Sequence, residues 1–198
     1  MPTSLSKYEL QLVTDPNVLL TKSRILQIVG NLLSELAEEY KKHLENTIAA
    51  DKSLVNAKIS RGENYEGLPY LVMDYPRQFG RKDVFAIRSF FWWGNFFSIT
   101  LQLDGEYQQK YSPVLKNAIK KNSLPGWFIS ISDNQWKHDF DKGNYVPVEE
   151  VVPENIEEFP FIKLAKKIPL TKWDDAYSFF IENFILITNT LAGYAPIL

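Results

Sequence analysis

The stretch FAIRSFFWWGNFFSITLQLDG, Phe85 to Gly105, places seven aromatic side chains within thirteen residues: Phe85, Phe90, Phe91, Trp92, Trp93, Phe96 and Phe97. Gly94-Asn95 divides it into two aromatic and β-branched runs. That dipeptide favours the tight turns that match strand twist, so the pattern predicts a β-hairpin. With a two-residue loop, Trp93 faces Phe96, Trp92 faces Phe97 and Phe90 faces Ile99. Side chains alternate across a strand. One face then carries Ala86, Arg88, Phe90, Trp92, Phe97, Ile99, Leu101 and Leu103, and this nearly all-apolar set is expected to be core. The other face carries Ile87, Ser89, Phe91, Trp93, Phe96, Ser98, Thr100 and Gln102, aromatic near the turn and polar beyond it. On this register Trp92 and Phe90 are buried. Trp93, Phe91 and Phe96 are left to line a pocket or to lie under another segment.

Working outward, Asp15-Pro16 reads as a helix opening, with Asp as cap and Pro in the first turn. Ile25, Val29, Leu32, Leu36, Tyr40, Leu44 and Ile48 recur at helical spacing behind it, with Glu35, Glu38, Glu39, Lys41 and Lys42 on the solvated face. The runs LVNAKIS (54–60) and YLVMDYP (70–76) read as strands around a polar loop, SRGENYEGLP. A helix is expected from about Glu106 to Asn122 despite Pro113. WFISIS (127–132) reads as a strand. Residues from about 133 to 170 hold several prolines and the acidic cluster Glu149, Glu150, Glu154, Glu157 and Glu158, and read as a long wrapping loop or arm. A last helix follows, with Thr171 and Asp174 resembling a capping box. Its apolar positions run nearly all round, which predicts deep burial or a homodimer contact through Phe179 and Leu186. The chain is thus expected to be a single α+β domain over 1–198. Its mostly antiparallel sheet is centred on the aromatic hairpin and packed by N-terminal, middle and C-terminal helices.

The order of a leading helix, KISRGEN, YLVMDYPRQFGRKD and an aromatic hairpin, spanning about residues 25–135, resembles uncharacterised bacterial α+β families of the YktB type. The resemblance implies no reaction, and no site residue follows from it.

Composition excludes several functions. The 198 residues contain no cysteine, so there is no disulfide framework, thiolate zinc site, iron–sulfur cluster or cysteine nucleophile. This fits a cytoplasmic protein, as does an N-terminus without the basic start and apolar run of a secretory leader. No apolar window reaches the length of a membrane span. A net charge of −2 argues against a dedicated nucleic-acid binder. His138 lies near Asp133, Asp139 and Asp141 in WKHDFDKG, but no second histidine supports a metal pair. The same segment misses a calcium loop because Asn144, not Gly, occupies the sixth position. No nucleophile elbow, phosphate-binding loop or dinucleotide fingerprint occurs, and no cofactor is expected.

Arg88 is the polar residue that stands out, because the hairpin register places it on a dry face. A buried charge needs a partner, and Asp74, Asp83 and Glu63 are candidates. An anionic ligand is the other candidate, since arginine forks match carboxylate and phosphate. The expected ligand site combines Arg61, Arg77 and Arg88 with Tyr75 and Trp93. The reading that follows is a binding or interaction protein for a protein partner or small anion. An enzyme using the arginine cluster with Asp74 and Glu63 is the alternative. A third reading is a single-stranded nucleic-acid binder stacking bases on Trp93, Phe91 and Phe96.

Overall fold

In the computed structural model, which describes residues 4–47 and 57–193, seven strands form one antiparallel sheet. The helices are α1 (Lys7–Thr14), α2 (Pro16–Thr47), α3 (Glu106–Lys120) and α4 (Ala176–Leu191). The strands are β1 (Lys58–Tyr65), β2 (Leu68–Phe79), β3 (Val84–Trp92), β4 (Phe96–Asp104), β5 (Phe128–Ser130), β6 (Tyr145–Pro147) and β7 (Ile162–Pro169). Their spatial order is β1-β2-β3-β4-β7-β5-β6. The α+β class and the central aromatic hairpin are as expected from the sequence.

The hairpin turn is one residue longer than expected. Trp92 pairs with Phe96, Phe91 with Phe97 and Phe90 with Ser98, so Trp93, Gly94 and Asn95 form the connection. Asn95 N–H donates to the Trp92 carbonyl at 3.0 Å, and Gly94 supplies a left-handed φ of 72°. A one-residue slip moves every side chain of β4 to the other face. Phe97, Ile99, Leu101 and Leu103 therefore lie with Phe85, Ile87 and Phe91 beneath the helices. The cause lies in β4, whose apolar and polar residues alternate cleanly. β3 is apolar on both faces and accepts either register. The longer turn gives β4 an all-apolar helix side and sets Arg88 opposite Thr100.

Burial of Phe90 and Trp92 holds, but in a different place. With Val72 and Phe96 they form a second apolar cluster on the sheet face away from the helices. Phe91 and Phe96 lie on opposite faces, and both are buried. Trp93 is half-buried against the helix-side core, its ring 6.2 Å from that of Phe91.

The helix-side core joins α2, α3 and α4 to the sheet. Leu26, Val29, Leu33, Leu36 and Tyr40 supply the stripe of α2. Tyr40 stacks on Phe184 at 3.5 Å, and its hydroxyl reaches the Ser89 hydroxyl at 3.1 Å and donates to the Phe180 carbonyl at 3.3 Å. In α4, Phe179 is buried and Leu186 is half-buried against the core. No side-chain cap bond forms before α4; a 3-10 turn, Leu170–Asp175, leads into it in place of the expected Thr171 box.

Three further expectations change. Much of the polar stretch after residue 60 is strand: β1 runs to Tyr65, and a tight turn at Glu66-Gly67 enters β2. Within the segment read as a loop or arm from 133 to 170, Ile162–Pro169 is strand β7, hydrogen-bonded between β4 and β5. Before the expected first helix stands α1, closed by a capping box in which Ser6 and Glu9 bond each other's backbone amides. Ile48 and the start of LVNAKIS lie outside the described residues. No helix among the described residues is long and apolar enough to cross a membrane.

Candidate functional site

Sheet register brings four strands' polar side chains to one spot on the face opposite the helices. Asp74 of β2, Arg88 of β3 and Thr100 of β4 are successive cross-strand partners. One step along, Ala86, Gln102 of β4 and Lys163 of β7 form the next row. These polar residues are buried because the β5–β6 connection, residues 131–144, folds back over them as a strap. Its base is closed by the Ile131 amide donating to the Asn144 carbonyl at 2.8 Å.

The strap is fastened by polar and aromatic contacts. Asn144, fully buried, donates through Nδ2 to the carbonyls of Lys137 and Asp139, and its Oδ1 accepts from the Ser130 hydroxyl. The His138 amide donates to the Tyr65 hydroxyl at 2.7 Å. Phe140 stacks on Tyr145 at 4.6 Å and meets Phe96 and Phe128 edge-on. Lys167 sits 4.5 Å from the Phe140 ring centroid, on the electron-rich face that attracts a cation.

Arg88 is enclosed and paired. Its Nε and Nη2 donate to the two Asp74 oxygens at 2.7 and 3.1 Å, with side chains 12% and 11% exposed. This bidentate fork is the strongest common geometry for a carboxylate–guanidinium pair. The remaining Nη1 lies 2.9 Å from Nε2 of His138. The ring centroid of Trp136 lies 5.9 Å from the guanidinium carbon.

Lys163 is the least expected member. Its side chain is fully buried, and Nζ donates to the carbonyls of Gln135 at 2.8 Å and Lys137 at 2.5 Å. His138 Nδ1 lies 3.5 Å away. Burial, followed by the positive charge of Arg88, lowers the Lys163 ammonium pKa to about 7. Burial and then the charges of Lys163 and Arg88 hold the His138 ring well below its ordinary value, so it is neutral near pH 7. Burial drives the Tyr145 hydroxyl well up. The cluster is a set of proton donors and acceptors already matched to one another.

The five residues expected to form an anion site are not brought together. Arg88 and Arg77 share the strap face, Arg77 opposite Ala86 with its Nε buried and unpaired. Arg61 pairs across with Leu71, on the helix side, and its guanidinium bonds Glu63 at 2.8 Å, which also takes Lys22 of α2 at 2.6 Å. Tyr75 follows Asp74 and falls by alternation in the helix-side core, where Trp93 also packs, while the β-bulge between Asp74 and Arg77 returns Arg77 to the strap face. The convergence fails because alternation sends Arg61 and Arg88 to opposite faces. Asp74 is the partner of Arg88 among the three carboxylates considered. Among the described residues, no group of three or more His, Asp or Glu side chains gathers as a metal ligand set. Sequence reading missed Lys163 and Asn144, which carried no signal apart from the strap that covers them.

The surface is different at the N-terminal end. Residues 4–21, comprising α1 and the first turns of α2, are exposed throughout. Leu5, Tyr8, Leu10, Leu12, Val13, Val18, Leu19 and Leu20 expose between 39% and 69% of their surfaces. Contact with the body begins near Leu26, with Lys22 bridging to Glu63 at the boundary. Comparison with protein-family models, curated proteins and solved structures finds no match to this chain.

Proposed function

We propose that this chain is an interaction protein whose docking element is the N-terminal tip, α1 with the first turns of α2. The observation that carries this reading is the continuous exposure of eight large apolar side chains over residues 4–21. Eight large apolar side chains left exposed in one short segment are more than scattered surface residues, and exposed apolar patches mark association sites. Support also comes from the opposite sheet face. There Arg88 and Lys163 are already partnered by Asp74, His138 and backbone carbonyls.

Charge helps to choose the class of partner. Residues 4–21 carry Lys7, Glu9 and Asp15 and no other charged side chain. Helices that lie on anionic membranes are rich in Lys and Arg on their polar face, and nucleic-acid contacts need a basic surface. A nearly neutral apolar element suits a protein partner that offers apolar surface in return. The absence of cysteine suits work in the reducing cytoplasm.

The test uses the dye ANS as a probe of unsatisfied apolar surface in dilute protein. At about 1 µM, where weak association is negligible, the wild-type protein should enhance ANS fluorescence. Val13→Glu with Leu19→Glu should remove most of that enhancement while leaving the thermal midpoint within a degree or two. Wild-type protein that scatters light as a monomer when dilute and still gives no enhancement would overturn the docking reading, since its tip would then be satisfied within one chain.

A further inference from the structure

We infer that the occupant of the N-terminal tip is a second copy of this chain, giving a symmetric dimer joined through α1 and the start of α2. The inference rests on the docking reading above and adds the identity of the partner.

The area supports a self-contained pair. Exposures of 39–69% over the eight residues amount to on the order of 900 Å² per copy, and a pair that covers about two thirds of it on each copy would remove roughly 1,200 Å² from water, the lower end of a stable specific interface. A two-fold axis requires that one patch meet itself, so the patch must not repel its own image. This one meets that condition: its three charges are of both signs and are outnumbered by apolar side chains. A strongly one-signed tip would have pointed to a partner of opposite charge.

Local structure points the same way. Isolated helices shorter than about twelve residues are marginal in water. α1 has eight residues, none of them buried, yet its start is closed by the reciprocal bonds of Ser6 and Glu9, at 3.2 and 2.7 Å. The cap fixes the start of the helix, but it supplies no apolar burial. Pairing of two tips buries the apolar side chains of α1 and α2 together and supplies what the single chain lacks. Among the described residues nothing of the body covers the tip, since residues 4–21 are exposed throughout.

Two other exposed aromatics give a control. Trp136 and Phe79, on the strap side, are 50% and 40% exposed and contact each other. They form a small, separate patch, so changing them should leave assembly untouched.

Light scattering coupled to size exclusion decides the matter on the full chain, from about 1 to about 300 µM. The wild type should move from 23.0 kDa toward twice that mass as concentration rises. Val13→Glu with Leu19→Glu should stay at the monomer mass throughout, with unchanged near-ultraviolet dichroism showing an intact core. Trp136→Glu should dimerise like the wild type. A wild type that remains monomeric to the highest concentration overturns the inference. If that monomer still enhances ANS when dilute, docking to a different protein stands. If it does not, both readings fall together. A dimer that survives the double substitution, or that Trp136→Glu abolishes, also overturns it by placing the interface elsewhere.

Discussion

Nη1 of Arg88 lies 2.9 Å from Nε2 of His138, and this contact fixes where the neighbouring protons are. A guanidinium only donates, so Nε2 accepts and the single proton of a neutral imidazole sits on Nδ1. Nδ1 faces Lys163 Nζ at 3.5 Å, while Nζ already donates to the carbonyls of Gln135 and Lys137. A neutral amine has two N–H donors and one lone pair, which matches these three contacts. An ammonium would direct its third N–H at the Nδ1 proton. Geometry and burial thus agree that the relay runs from Arg88 through His138 to Lys163 in its neutral form, which prevails above about pH 7.

The pH dependence of stability follows. In the unfolded chain Lys163 keeps its proton up to its ordinary value of 10.5, whereas the native chain releases it at about 7. Between those values the unfolded state binds more protons, so stability rises with pH across that window and is level below it on this account. His138, also lowered, adds a loss as pH falls below 6.5. Urea unfolding at pH 7 and pH 9.5 should show wild-type stability increasing. Lys163→Met should flatten that increase, although it lowers stability at both pH values by leaving the two strap carbonyls unpaired. An unchanged slope in the variant would show that Lys163 is not the titrating group. Lys166 and Lys167 are present in both proteins and provide a common background.

The Asp74–Arg88 pair should show a strong asymmetry between single and double replacement. Arg88→Met alone leaves the Asp74 carboxylate enclosed without its fork and should cost about 3–5 kcal/mol. Asp74→Leu combined with Arg88→Met removes both charges and should recover much of that loss. The measurement is a double-mutant cycle in denaturant, and additive single effects would contradict the coupling seen in the structure.

Trp92 should contribute chiefly by burial. It is 7% exposed and lies edge-on to Phe96 and Tyr65 at 5.4 and 5.0 Å. Trp92→Ala should cost about 3–5 kcal/mol. Trp92→Phe keeps most of the ring packing but loses the indole bond to the Tyr65 carbonyl at 3.2 Å, and should cost on the order of 1–2 kcal/mol. Equal losses for the two variants would mean that the hydrogen bond dominates.

The cap of α1 should act locally. Ser6→Ala removes one half of the capping box and should weaken α1 by about 1 kcal/mol. Amide exchange of residues 7–14 should quicken, while the global midpoint of dilute protein stays put because α1 buries nothing within the chain. A large fall in the midpoint under those conditions would place α1 in the folding core.

Legibility in the sequence follows how local each signal is. The opening of α2 at Pro16, the middle helix with Pro113 inside it, and the enclosed, paired state of Arg88 rest on periodicity and on single-residue chemistry, both local. The hairpin register was not local. It is set by the alternation of Phe97, Ile99, Leu101 and Leu103 against the helices, and a turn dipeptide alone does not reveal that. Strand β7 was hidden because Lys163, Lys166 and Lys167 make its segment resemble solvated chain. Lys163 is tolerated in the sheet interior through two carbonyls that arrive from the strap. The anion site failed for the same kind of reason: Arg61 and Arg88 are near in the fold, but strand parity separates them.

The order β4-β7-β5-β6 has a consequence for synthesis. The hydrogen-bonding edge of β4 ends at Asp104, but the strand that covers it begins at Ile162. At roughly 5–20 residues per second, a ribosome needs on the order of 3–12 s to make the intervening chain. During that interval the newly made hairpin presents an open edge rich in Phe, Ile and Leu, the kind of edge that recruits other strands. Nascent chains halted before Ile162 should therefore aggregate or hold a chaperone, and chains carried past Pro169 should be released.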